Sequence, residues 1–124
     1  MNITQADKKK FENITEVVSS TLDSLAYLFT NFGMHGLYEL TNPSLPDLKR
    51  VIKEMRDHIV DIENDFSDKG GLDHTYALIL TQNIKQGLLF AENLLVSVEK
   101  LDQSECEKAL RDMQENSINH PTWQ

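Results

Sequence analysis

The residues best suited to chemistry are Glu54, His58, Asp61 and Asp65, spaced four, three and four apart. On an α-helix that spacing gathers all four on one face. Carboxylates and an imidazole at such steps can hold a divalent metal. The buried form of that chemistry, the di-metal carboxylate bundle, needs Glu-x-x-His on facing helices so that the ligands converge inside. The sequence contains no Glu-x-x-His. The Glu54–Asp65 face also points away from the apolar stripe of its own helix, so it reads as a solvated face, and no metal is expected. The remaining histidines, His35, His74 and His120, lie in separate segments.

Cys106 is the single cysteine, which excludes an intrachain disulfide and a cysteine zinc site and fits a reducing, cytoplasmic compartment. Its neighbours Glu105 and Glu107 disfavour a thiolate, so Cys106 reads as a packing residue. No glycine-rich phosphate loop, serine elbow or paired core carboxylate is present. The expectation is a protein that is not an enzyme and carries no cofactor.

The 124-residue chain is long enough for one self-supporting core. The lysines of the N-terminus MNITQADKKK are followed by no apolar run, so it does not read as an export signal. No unbroken apolar run, Leu88–Ala91 included, is longer than five residues, far too short to span a bilayer. Twenty acids against twelve lysines and arginines give a net charge of −8. Counterion release rewards basic surfaces, so direct nucleic-acid binding is disfavoured, and an anionic membrane repels the chain for the same reason.

The organising stretch is 72–101. There Ala77, Leu80, Ile84, Gly87, Ala91, Leu94, Val98 and Leu101 recur at steps of three and four, and Leu88 and Leu95 widen the stripe. This predicts a central helix capped by Asp73. Before it, Thr4 and Asp7 form a capping-box pair for a helix whose apolar face carries Phe11, Ile14, Val18, Leu25, Leu28 and Phe32, broadened by Val17, Leu22 and Phe29, with a stop at Gly33. Residues 34–43 then read as a loop or a single helical turn over one end of the bundle, or as a binding loop. A second helix starts near Ser44, buries Leu48, Ile52, Met55, Ile59, Ile62 and Phe66, and ends at Asp68–Gly71. Ser104 and Glu107 cap a short fourth helix with one thin apolar edge. The fold expected is all-α: an up-and-down helical bundle of three long helices plus a short C-terminal helix. Residues 1–116 make a single domain and 117–124 a flexible tail.

Two charge clusters sit at unfavourable helix ends. Lys8, Lys9 and Lys10 lie near the start of the first helix, and Asp57, Asp61, Glu63, Asp65 and Asp68 crowd the end of the second. In an up-and-down bundle those ends are neighbours, which predicts that the clusters face each other. The alternative is an acidic patch that meets a basic partner.

For function, the informative feature is an apolar line on the back of the central helix: Leu78, Leu89 and Val96, flanked by Gln82, Lys85, Glu92 and Asn93. Either the fourth helix covers it, or it meets a protein partner or a second copy of the chain as a homodimer. Leu37 and Tyr38 in the 34–43 segment are further partner-binding candidates. The sequence points to a small acidic, non-catalytic interaction module acting through a helix face. Adaptor, regulator and inhibitor are open subtypes, as are a phage or mobile-element origin and an export-chaperone-like role. The competing reading is a small-molecule sensor with a pocket between helices near Gly87 and Met34–Tyr38.

Overall fold

A computed structural model describes residues 3–41, 44–116 and 118. The chain enters its first helix, α1 (Gln5–Thr41), through the expected capping box. The Asp7 amide donates to Thr4 Oγ1 at 3.2 Å, and the Thr4 amide donates back to the Asp7 carboxylate at 3.0 Å. Gly33 does break this helix, at φ 71° and ψ −177°, a conformation that only glycine adopts without strain. The chain then resumes helical geometry over 34–41, more helix than the loop or single turn expected. Met34, Leu37 and Thr41 are buried.

α2 (Leu45–Phe66) follows, with Ser44 at its N-cap position but no side-chain cap bond. Ile52, Ile59, Ile62 and Phe66 are buried, while Leu48 and Met55 pack part-buried against them. α3 (Leu72–Glu99) begins at Gly71, whose φ of 93° makes the turn. Asp73 is therefore not the cap. It stands in the first turn, where its carboxylate meets the Lys8 ammonium at 2.9 Å.

Every predicted stripe residue of α3 from Ala77 to Val98 is buried, and so are Leu88 and Leu95. Leu101 alone departs: it lies past the helix end and is 42% exposed. Its positive φ of 54° lets two crossed bonds close the helix. The Leu101 amide donates to the Val98 carbonyl and the Asp102 amide to the Ser97 carbonyl, both at 3.0 Å, which is a Schellman ending with leucine where glycine is usual. α4 (Gln103–Glu115) is capped by Asp102 accepting from the Glu105 amide, rather than by Ser104.

The helices alternate in direction, and α3 touches all three others. As the alternation requires, the start of α1 lies beside the end of α2: the Phe11 and Phe66 rings are 6.0 Å apart, and Lys69 pairs with Asp7. The neighbouring ends are thus as predicted, but different residues join them. Lys8 turns to Asp73, and of the acidic cluster Glu63 turns to α3. Of the expected tail, Ile118 packs part-buried against the core, and the rest lies outside the described residues, as does His120.

Candidate interaction surface

The α2–α3 contact decides what becomes of the line on the back of α3. Three ion pairs join the helices: Lys49–Glu99 at 2.7 Å, Arg56–Glu92 at 2.7 Å and Glu63–Lys85 at 2.9 Å. Each rung is seven residues from the next on both helices, in opposite directions, as in an antiparallel coiled coil. Glu63 also accepts from Gln82 at 2.8 Å and from the Thr81 hydroxyl at 3.1 Å. Gln82, Lys85 and Glu92, the expected polar rim, therefore bond inside the molecule. Leu78 packs part-buried against the core, Val96 is half-buried and lines a cleft beside α4 with Asn93, and Leu89 is 39% exposed. The line is thus interrupted, with Leu89 as its exposed remnant. Leu37 is wholly buried, and Tyr38 is half-buried and packs against the core.

Gly87 is close-packed, because a Cβ there would meet Leu22 at 3.0 Å, Asn116 at 3.2 Å and Ile118 at 3.4 Å. A cleft of about 370 Å³ adjoins it, lined by Ser19, Leu22, Asp23, Met113 and Asn116 among others, none from Met34–Tyr38.

Cys106 is fully buried in the core, and burial pushes its thiol up to about 11, with Asp102 and Glu107 adding to the shift. Its role is packing, as its acidic neighbours suggested. Among the described residues no group of three or more histidine, cysteine or acidic side chains is placed to hold a metal.

The surface that stands out lies between α1 and α2. These helices meet at the Phe11 and Phe66 rings and leave a cleft of about 210 Å³, lined by Asn13, Ile14, Val17, Val18, Met55 and His58. Val17 is 54% exposed although it sits among apolar neighbours, and Val51, seven residues before His58 on α2, is 38% exposed. Helical spacing carries the same flank of α1 on to Leu28 and the exposed Phe32, which the sequence had assigned to the core. Apolar side chains at these spacings would pack against α2 in a closed bundle. The few contacts between the two helices leave them half open.

His58 lies in the cleft, so Glu54, Asp61 and Asp65, which share its helical face, form the α2 rim. All three are exposed, as the sequence predicted for that face. Arg50 approaches Glu54 at 3.8 Å and Asp47 at 3.5 Å across open solvent. Asp57, Asp61, Asp65 and Asp68 take part in none of the ion pairs found among the described residues. The α1 rim is mostly uncharged: Asn13, Ser20 and Ser24 are exposed there, with Lys10 at one end. No helix among the described residues is long and apolar enough to cross a membrane. No protein-family model, curated protein or solved structure matches this chain.

Proposed function

We propose that the protein is a non-catalytic interaction module, an adaptor, regulator or inhibitor, that binds another protein through the face shared by α1 and α2. The observation that carries this reading is the half-open apolar cleft around Val17 and Met55. Its walls are almost wholly apolar, yet Val17 remains 54% exposed. Apolar side chains held by rigid helices and edged with polar residues have the anatomy of a protein contact. A folded bundle gains nothing from leaving such a cleft open, and a partner that fills it removes that apolar surface from water.

The test is site-specific photocrosslinking in extract of the source cells. A crosslinking side chain at Val17 should give a discrete protein adduct, and the same group at Asp57, exposed on the same helix pair, should not. No adduct at Val17, or the same bands from both positions, would remove the reading.

A further inference from the structure

The cleft has two unlike rims, and that asymmetry specifies its occupant. Along α2 run Glu54, Asp61 and Asp65, all exposed and all on the His58 face. Along α1 the exposed rim residues are Asn13, Ser20 and Ser24. Between them Ile14, Val17, Val18 and Met55 supply an apolar floor. Resting on the interaction reading above, we infer that the occupant is an amphipathic helix of another protein, with lysines and arginines along one flank. Its apolar stripe sits over Val17 and Met55, its basic flank faces the α2 carboxylates, and its uncharged flank faces α1.

The shape and the charge agree on this. Two helices packed over a third leave a groove whose natural filler is one more helix, anchored at steps of three and four. Neutral filler would leave the acidic rim unanswered, and an acidic one would be repelled by it. A second copy of this chain carries the same net charge of −8 and the same acidic rim. Nucleic acid would set phosphates against carboxylates. Arg50 lies beside Asp47 and Glu54, which leaves Asp61 and Asp65 as the acids most open to a basic side chain.

The experiment uses the full chain and three fluorescein-labelled model peptides. Two share a leucine stripe at helical spacing, one with lysines and one with glutamates at its flanking positions. The third scrambles the lysine peptide. Fluorescence anisotropy should give binding of the lysine helix that weakens as salt rises. The glutamate helix and the scrambled peptide should bind roughly tenfold more weakly or worse. Val17→Asp should cost the lysine helix roughly tenfold with unchanged circular dichroism, because Val17 is half exposed. Asp61→Lys combined with Asp65→Lys should cost the lysine helix several-fold and improve the glutamate helix. Equal binding of the lysine helix and its scramble, or indifference to Val17→Asp, would overturn the inference. So would concentration-dependent dimerisation lost in Val17→Asp with no peptide bound, which would assign the groove to a second copy. Lysine and glutamate helices bound equally, both lost in Val17→Asp, would end the charge assignment while leaving the groove as an interaction site.

Discussion

At the scale of single residues, the clearest strain is at Leu101. A side chain at φ 54° costs roughly 1 kcal/mol relative to glycine, and the Schellman ending of α3 needs that conformation. Leu101 is 42% exposed, so little packing is lost with its side chain. Leu101→Gly is expected to raise stability by about 0.5–1 kcal/mol, read as a higher urea midpoint at an unchanged slope. Asp7 makes the opposite kind of contribution. Its carboxyl is held below the usual carboxylate range, chiefly by Lys69 and then by the Thr4 amide. A depressed folded pKa means that the unfolded chain takes up the proton first. The stability due to Asp7 is therefore complete above its unfolded pKa of about 3.9 and is lost as pH falls through the lower, folded value. Asp7→Asn should be less stable at neutral pH and lose less of its remaining stability between pH 5 and pH 2, about the range of carboxylate titration. An acid-unfolding profile parallel to the parent's would remove this assignment. The Thr4–Asp7 box could be read from sequence because its partners are three residues apart. Lys8–Asp73 and Lys69–Asp7 could not, because they join distant segments and depend on which ends meet.

At the scale of elements, periodicity carried most of the information, and α3 shows why. Its apolar residues repeat without interruption from Ala77 to Val98, and all of those in the stripe are buried. The 34–41 segment is longer helix than the loop or single turn that its sequence suggests, because Gly33 is a sound stop signal and the stop is real. What outweighed it is Met34, Leu37 and Thr41, at helical spacing, whose burial is gained only if the helix resumes. Gly36 permits the bend, since a Cβ there would lie 2.6 Å from the Phe32 Cβ. The α2–α3 ladder was also present in the sequence, as Lys49, Arg56 and Glu63 against Lys85, Glu92 and Glu99. It becomes visible only when the two helices are aligned antiparallel, because α3 taken alone presents Lys85 and Glu92 as polar residues without partners. The Glu63 and Lys85 side chains are 21% and 23% exposed, so solvent screens the pair only in part. Lys85→Glu should cost about 1–2 kcal/mol, and adding Glu63→Lys should recover most of the loss. Equal losses in the single and double variants would mean the rung contributes packing and no charge attraction.

At the scale of the whole molecule, α3 contacts the other three helices, and an apolar cleft opens between α1 and α2. The fold class was legible because four helical stripes and their stops admit few arrangements. The cleft was not, because its residues Ile14, Val17 and Met55 have the types and spacing of core positions. Only the separation of two helices leaves them half open, and that separation is a property of the packed bundle. The ladder bears on the same packing in another way. The apolar stripes of α2 and α3 repeat every seven residues, so hydrophobic contact alone would accept a hairpin slid by one heptad. The third rung has its charges reversed relative to the other two. Sliding one way sets Arg56 against Lys85, and sliding the other way sets Glu63 against Glu92. Either misalignment creates a like-charge pair between partly buried helices, so the reversed rung acts as a reading frame that a ladder of uniform sign would lack. In the doubly exchanged protein, Glu63→Lys with Lys85→Glu, each native rung still joins opposite charges, but the frame is erased. That protein would keep its strength and lose its means of telling the right alignment from its two nearest neighbours.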